Sequence, residues 1–156
     1  LGYWQNEEAT NTAIDQDGWL HTGDVAEIKD KRIYIRGRIK DIMVLSNGEK
    51  FSPQDAEMAI VGDEVFEQIV LIGEGKPFIG MIAVTANSNE KELIKRANDR
   101  LQHLPRYIRV RRIITTQDPW TVDNGLLTPT LKVKRVKVLE AFRDRINDLY
   151  AEGMGE

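Results

Sequence analysis

Three short segments of the sequence carry polar residues that have no packing reason to lie where they do. The first, Gly18 to Asp24, leaves the Asp24 carboxylate at the start of a predicted strand, after a turn that Gly23 permits. A carboxylate at that place can accept two hydrogen bonds from a sugar diol, as acidic residues do for ribose in dinucleotide-binding folds. A carboxylate that only caps the turn explains the same spacing equally well.

The second segment, Arg36 to Asp41, alternates charged residues between two apolar runs. The planar guanidinium of Arg38 suits phosphate or ribose oxygens. Lys40 and Asp41 in the same segment can equally form a surface ion pair of little energetic value. The segment therefore indicates a candidate nucleotide contact at Arg38 and assigns no role to Lys40.

The third segment, Asn124 to Arg135, is a loop with a glycine and a proline that delivers Lys132 shortly before a predicted helix. A mobile ammonium in that position suits a negatively charged substrate. The alternative is an ordinary basic helix start, although a base at a helix N-terminus opposes the helix dipole.

The elements that must position these segments alternate between short strands and helices. Apolar periodicity and turn residues predict strands at 25–28, 32–36 and 110–115, hairpins through Asn47-Gly48 and through 73–77, and helices at 53–61, 89–104 and 133–150. Ser52 is the predicted N-cap of the first helix, and an apolar stripe from Val136 to Leu149 is the predicted core face of the last. The fold class is α+β, with a mainly antiparallel sheet and about three helices.

Composition excludes several classes of site. The chain has 156 residues, two histidines and no cysteine, which excludes disulfide scaffolds, thiol nucleophiles and cysteine-based zinc sites. It contains no run of about 20 apolar residues of the kind that spans a membrane. It begins at Leu1 rather than Met, which is typical of the interior of a longer chain.

The net charge of −3 conceals an asymmetry along the chain. Residues 1–30 carry seven acidic residues and one basic residue, whereas residues 106–138 carry eight basic and two acidic residues. The basic segment is a solvated face or, alternatively, a surface that meets the phosphates of a nucleotide or of nucleic acid. Few aromatic residues lie among its bases, so nucleic acid is the weaker interpretation.

Together the three segments resemble the adenylate-forming enzymes, which include acyl-CoA synthetases, luciferases and the adenylation domains of peptide synthetases. The resemblance rests on ordered motifs at Gly2 to Trp4, Glu8 to Thr10, Asp17 to Asp24, Gly37 to Asp41, Ser46 to Lys50 with Pro53 and Glu57, and Leu127 to Lys132. The Asn-Gly-Glu-Lys motif and the stretch from Leu127 to Arg135 are most similar to long-chain fatty acyl-CoA synthetases. Many relatives carry Gly where Leu131 stands, which disfavours the short-chain and peptide-synthetase branches.

The resemblance implies a two-step ligase. A fatty acid carboxylate attacks the α-phosphate of ATP, and the thiol of CoA then displaces AMP from the acyl-adenylate. In such an enzyme Asp24 would bind the ribose hydroxyls, Arg38 would contact ribose or phosphate, and Lys132 would stabilise charge at the α-phosphate and the carboxylate. Lys40 would be the hinge of a rotating C-terminal domain, and the hairpin residues Ser46, Asn47 and Gly48 would face CoA.

The resemblance also implies a division of the chain. Residues 1–39 would be the tail of a large AMP-binding domain, and residues 40–156 the C-terminal lid. The phosphate loop, the adenine segment, the fatty-acid pocket and the Mg²⁺ ligands belong to that large domain, so the chain alone is expected to be inactive. Its partners would be that domain, ATP, fatty acid and CoA, with no nucleic acid. The expected location is the cytoplasm, with contact at a membrane surface left open.

Two alternatives accompany this hypothesis. One is another adenylate-forming ligase, specific for medium-chain or aryl acids, because the pocket that selects the acid is not among these residues. The other belongs to a different class, a module that binds phosphate or nucleic acid through residues 106–138.

Overall fold

A computed structural model describes residues 2–152, with only the backbone described for Arg36, Lys40 and Glu152. The chain divides into two compact units, Leu1–Ile42 and Met43–Glu156. This division lies three residues after the proposed domain boundary at 39/40.

The first unit contains one helix and one two-stranded sheet. Helix α1 (Glu7–Ala13) was not predicted, and it begins at Asn6, whose side chain accepts a hydrogen bond from the Ala9 N–H at 2.9 Å. Strands β1 (Asp24–Lys29) and β2 (Arg32–Arg38) pair antiparallel, as the sequence predicted. A 3-10 helix at Ile39–Asp41 follows.

One face of the β1–β2 hairpin is apolar and exposed. Ile28 pairs with Ile33 and Ala26 with Ile35, which places these side chains on the same face of the sheet. The three isoleucines are between 63% and 76% exposed. Helix α1 has no buried residue. The described part of this unit therefore leaves an unusual amount of apolar surface in contact with water.

The second unit is built on a three-stranded sheet with helices on both faces. Strands β3 (Met43–Val44) and β4 (Lys50–Phe51) form a small hairpin. Strands β5 (Gln68–Ile72), β6 (Ile79–Val84) and β7 (Val110–Thr116) form the sheet in that order, antiparallel between β5 and β6 and parallel between β6 and β7. The helices are α2 (Pro53–Val61), α3 (Glu90–Arg100), α4 (Arg135–Ala141) and α5 (Arg143–Glu152).

The sheet separates two apolar cores. Leu71 and Met81 belong to the core that α2 and α3 cover, and Val70 and Ile82 belong to the core that α4 and α5 cover. Alternate residues of β5 and β6 point to opposite faces, so both strands are buried on both sides. The α+β fold class is confirmed, and among residues 2–152 no helix is long and apolar enough to cross a membrane.

Two predictions about the last helix were wrong. The single predicted helix 133–150 is divided at Phe142 into α4 and α5. Val136, predicted as core, is 67% exposed, and Val138 is buried in its place. Val138 and Leu149 both lie in the core that α4 and α5 cover. The predicted helix 53–61 with Ser52 at its N-cap is confirmed, although the Ser52 hydroxyl makes no capping hydrogen bond.

An ion pair outside the candidate site makes stability depend on pH. Two guanidinium nitrogens of Arg96 contact the Asp63 carboxylate, at 2.5 and 2.9 Å, which lowers the pKa of Asp63. A carboxyl whose folded pKa is lowered stabilises the fold above its unfolded pKa of about 3.9, and that contribution disappears as the pH falls through the folded pKa. We therefore expect Asp63→Asn to unfold at lower urea than the parent chain at pH 7.

The difference in stability between this variant and the parent chain should shrink as the pH falls below about 4, because protonation of Asp63 then removes the ion pair from the parent chain as well. Urea titrations at several pH values measure this convergence. A stability difference that stayed constant down to pH 2 would contradict the assignment to Asp63.

Candidate functional site

Asp24 and Arg38, which come from separate sequence segments, lie opposite each other at the open end of the β1–β2 hairpin. The Arg38 Nε atom is 3.6 Å from Asp24 Oδ1. The Arg38 side chain is 72% exposed and that of Asp24 29% exposed, so solvent screening makes this contact weak. Both groups can exchange it for a ligand: the carboxylate accepts hydrogen bonds from a diol, and the guanidinium donates to ribose or phosphate oxygens.

A β-bulge produces this pairing. Val25 pairs with Gly37 and Ala26 with Ile35, so Arg36 is an extra residue on β2. Gly37 has φ 145°, a conformation that favours glycine. The bulge changes the register by one residue, and Arg38 comes to lie opposite Asp24.

The turn before β1 is held by Asp15. Its Oδ1 accepts hydrogen bonds from the N–H groups of Trp19 at 2.9 Å and of Asp17 at 3.1 Å, and its Oδ2 lies 3.1 Å from His21 Nε2. The Trp19 N–H bond is the main reason why the pKa of Asp15 is lowered. The His21 side chain is therefore engaged in this turn.

Lys132, in the second unit, lies on a small closed hairpin within the loop 117–134. The Thr128 N–H donates to the Lys132 carbonyl at 2.8 Å, and the Leu131 N–H donates to the Thr128 carbonyl at 2.8 Å. The Thr128 hydroxyl accepts a hydrogen bond from the backbone N–H of Lys132 at 3.0 Å. Leu127 and Val133 form an isolated antiparallel β-bridge. The Lys132 side chain is exposed, and its ammonium has no ion-pair partner in the described part of the chain.

The N-terminal half of this loop is fixed to β5 by Gln68. The side-chain amide of Gln68 donates to the Trp120 carbonyl at 3.0 Å and accepts the Trp120 N–H at 2.7 Å. The Trp120 side chain is 2% exposed and belongs to the core under α4 and α5. The Asn124 side chain then accepts the N–H groups of Thr121 and Leu126.

The C-terminal end of the loop is fixed to the same strand by Arg135, the first residue of α4. Its guanidinium donates to the Leu71 carbonyl at 2.7 Å and to the Glu57 carboxylate, and Glu57 accepts the Leu71 N–H at 2.8 Å. The carboxylate of Glu57 explains why a base is tolerated at this helix N-terminus, where the dipole disfavours it. Glu57 belongs to one of the sequence motifs, but the sequence did not predict its contact with Arg135. The sequence also did not predict the contact of Gln68 with Trp120.

The hairpin that holds Ser46, Asn47 and Gly48 has the same hydrogen-bond pattern as the Lys132 hairpin. Leu45 N–H donates to Glu49 carbonyl, and Gly48 N–H to Leu45 carbonyl, both at 2.9 Å. The hairpin predicted through Asn47-Gly48 is confirmed, but its loop has three residues. An Asn-Gly two-residue turn needs a positive φ at both positions, whereas here only Gly48 has one, at 86°. Ser46, Asn47 and Gly48 are exposed.

The equivalent of Gly48 in the Lys132 hairpin is Leu131, with φ 60°. This backbone conformation destabilises the folded state by about 1–2 kcal/mol for a residue with a Cβ. Glycine avoids that penalty, but it loses about 0.5–1 kcal/mol more conformational entropy on folding than other residues do. Leu131 is 71% exposed, so its side chain contributes little packing. We expect Leu131→Gly to raise the free energy of unfolding by about 0.5–1 kcal/mol, as measured by urea denaturation. A decrease would show that the Leu131 side chain stabilises the hairpin.

The basic residues of segment 106–138 do not form one free surface. Arg109 donates to backbone carbonyls of Pro105 and Ile108, Arg135 is bound as described above, and Lys137 pairs with Glu140 at 2.8 Å. This last contact lowers the pKa of Glu140. Three arginines, Arg106, Arg109 and Arg111, line a small cleft together with Asn47 of the neighbouring hairpin.

The remaining predicted site residue is Lys40. Its backbone lies in the 3-10 helix Ile39–Asp41, and its side chain lies outside the described residues. Among residues 2–152, no group of three or more acidic or histidine side chains is arranged to hold a metal ion.

A family model for the C-terminal domain of AMP-binding enzymes matches residues 40–154 of the chain. Among curated proteins, the chain is 33% identical to the long-chain-fatty-acid–CoA ligase FadD15 of Mycobacterium tuberculosis, with 96% of this chain and 29% of that protein covered. It is 31% identical to the chloroplastic long-chain-fatty-acid–[acyl-carrier-protein] ligase AEE15 of Arabidopsis thaliana, with 96% and 24% covered.

Among solved structures, the A domain of a carboxylic acid reductase from Segniliparus rugosus, in complex with AMP and a co-purified carboxylic acid, matches with a TM-score of 0.87. The sequence identity is 26%, and the match covers 97% of this chain and 26% of that one. The chain thus spans about a quarter of the length of its relatives. Because the family model covers most of its residues, the chain belongs to the AMP-binding enzyme family, whose C-terminal domain it contains at residues 40–154.

Proposed function

We propose that this chain is the C-terminal part of an ATP-dependent long-chain fatty acid–CoA ligase. In the first half-reaction a carboxylate oxygen of the fatty acid attacks the α-phosphorus of ATP, and pyrophosphate leaves. In the second, the CoA sulfur attacks the carbonyl carbon of the acyl-adenylate, and AMP leaves with the electron pair of the broken C–O bond. The names of the relatives support both the ligase class and the long-chain substrate.

The observation that carries the proposal is the exposed position of the Lys132 side chain on a hairpin that is fixed to the core. Its ammonium has no ion-pair partner among the described residues, and it projects from a hairpin that is closed by hydrogen bonds at Thr128 and fixed to the core by Gln68 and Arg135. An exposed lysine without a structural task on so firmly held a loop suits an electrostatic role. Lys132 would stabilise the negative charge that gathers on the α-phosphate and the carboxylate during adenylation.

The Asp24–Arg38 pair supports the nucleotide part of the proposal. Asp24 would accept hydrogen bonds from the ribose hydroxyls, and Arg38 would donate to ribose or phosphate oxygens. Their own contact of 3.6 Å is weak enough for a ligand to replace it. The bound AMP of the carboxylic acid reductase A domain is consistent with a nucleotide as the ligand.

The exposed apolar face of the first unit supports its assignment to a larger domain. Ile28, Ile33 and Ile35 share one sheet face, and an isolated two-stranded sheet is marginally stable in water. Residues 1–39 would pack this face against the large AMP-binding domain, and residues 40–156 would form the lid. That large domain would also hold the Mg²⁺ ion and the fatty acid.

The hairpin of Ser46, Asn47 and Gly48 would face the thiol acceptor in the second half-reaction. CoA is the proposed acceptor, although one relative is named as a ligase for acyl-carrier protein. The hairpin is exposed and Gly48 presents no side chain, which suits close approach of a ligand to its backbone.

The test uses the full-length enzyme that carries this chain as its C-terminal part. Pyrophosphate release with palmitate should exceed release with octanoate or benzoate by roughly tenfold or more. Acyl transfer should occur to CoA, with acyl-carrier protein as the competing acceptor. The 156-residue chain alone should release no pyrophosphate from ATP and palmitate. A preference for benzoate or octanoate would replace the long-chain assignment by that of another adenylate-forming ligase.

A further inference from the structure

The outer edge of strand β5 is closed by two side chains instead of another strand. At Leu71, the N–H donates to Glu57 at 2.8 Å and the carbonyl accepts from Arg135 at 2.7 Å. Leu71 is paired with Met81 of β6 on its other side. Glu57 on α2 and Arg135 on α4 also form an ion pair, so the two side chains and the strand edge make one closed arrangement.

This arrangement lies at the base of the Lys132 hairpin. Arg135 follows Lys132 by three residues and is the first residue of α4. Between them, the Lys134 N–H donates to the Leu126 carbonyl at 2.9 Å, which closes the stem of the hairpin. The side chains are only 18% exposed at Glu57 and 35% exposed at Arg135, so the ion pair is shielded more than a surface pair.

We propose that Glu57 is a positioning residue for adenylation, which acts through Arg135 to fix the hairpin that carries Lys132. The proposal rests on the function given above for Lys132. Glu57 touches no reacting atom; it orients the guanidinium, and the guanidinium fixes the chain three residues after Lys132 to Leu71.

The physical reason is that an ammonium stabilises a transition state only when it is held in place. A misplacement of about 1 Å can cost about a hundredfold in rate. The loop 117–134 has 18 residues, which is longer than most ordered connections. Removing the Glu57 charge leaves the Arg135 guanidinium without its anionic partner, so the C-terminal attachment of the loop should loosen.

The first experiment measures the loop itself. In Glu57→Gln, hydrogen exchange at the amides of Thr128, Lys132 and Lys134 should quicken by roughly tenfold. The matched control is Asp63→Asn, which breaks the two-bond pair with Arg96 elsewhere in the same unit. That control should lower overall stability without selectively exposing these three amides.

The second experiment measures the two half-reactions in the full-length enzyme. Glu57→Gln should lower acyl-adenylate formation by roughly tenfold and leave thioester formation from preformed acyl-adenylate unchanged. In a Lys132→Ala background, Glu57→Gln should cause no further loss, because its effect passes through Lys132. A merely structural Glu57 would instead lower both half-reactions, and would do so in both backgrounds.

The outcomes separate the inference from the proposed function. If Lys132→Ala leaves adenylation unchanged, the role of Lys132 is wrong. If Lys132→Ala lowers adenylation but Glu57→Gln changes neither the exchange rates nor adenylation, only the positioning role fails. Should Glu57→Gln not fold, Arg135→Lys provides the same test, because lysine keeps the charge but cannot bind Leu71 and Glu57 together in a planar fork.

Discussion

Acyl-adenylate formation by the full-length enzyme should fall by about 10²- to 10³-fold when Lys132 is replaced by Ala, the size expected for one electrostatic contact to a transition state. Thioester formation from preformed acyl-adenylate should be largely retained, because the attack of the carboxylate on the α-phosphorus, the step that Lys132 is proposed to assist, does not occur in it. The folded structure should survive, since the Lys132 side chain is exposed and only its backbone closes the hairpin.

The measurement follows pyrophosphate release for the first half-reaction and acyl-CoA formation from synthetic acyl-adenylate for the second. Lys134→Ala is the matched control, because it removes the same charge from an exposed lysine two residues away. It should change the first half-reaction much less than Lys132→Ala does. Equal losses in both half-reactions of Lys132→Ala would contradict a role confined to adenylation.

The sequence predicted the sheet better than the helices that cover it. The apolar runs predicted at 67–72 and 78–85 contain β5 and β6, because strands buried on both faces are apolar throughout. The last helix was wrong because periodicity alone selects the most apolar stripe. Val136 lies on that stripe but is exposed, whereas Val138, two residues later, is buried.

The sequence predicted individual residues of the candidate site, but it did not predict which of them contact one another. Asp24 and Arg38 were selected separately, and only the bulge at Arg36 shows that they lie opposite each other. The register change could not be predicted, because a one-residue bulge leaves the sequence alternation almost unaltered. The Glu57–Arg135 contact joins residues 78 apart in the chain, and no local pattern specifies so distant a pair.

The two hairpins show a limit of turn rules. Asn47-Gly48 suggested a two-residue turn, yet the loop has three residues and uses only the positive φ of Gly48. The Lys132 hairpin adopts the same pattern with Leu131 at the strained position, where residue preference argues against it. Its surrounding hydrogen bonds, from Thr128 to Lys132, therefore determine the turn.

A proline at position 40 should separate the two half-reactions through the backbone, whereas Lys132→Ala separates them through a charge. Lys40 lies inside the 3-10 helix Ile39–Asp41, two residues before the division between the compact units at Ile42. Proline fixes φ near −65° and pushes Ile39 out of the helical region. If Lys40 is the hinge between two catalytic poses, Lys40→Pro should favour one backbone conformation and slow whichever half-reaction needs the other by roughly tenfold or more.

Both half-reactions must be measured separately, because the overall rate reports only the slower one. Ser88→Pro is the control: it places a proline in the exposed loop before α3, away from the unit boundary, and should leave the ratio of the two rates unchanged. Undiminished turnover in both half-reactions of Lys40→Pro would remove Lys40 as the hinge. A selective loss of one of them in Lys40→Pro, but not in Lys40→Ala, would locate the conformational change in the backbone of residue 40, because both variants lose the charge and only proline constrains φ.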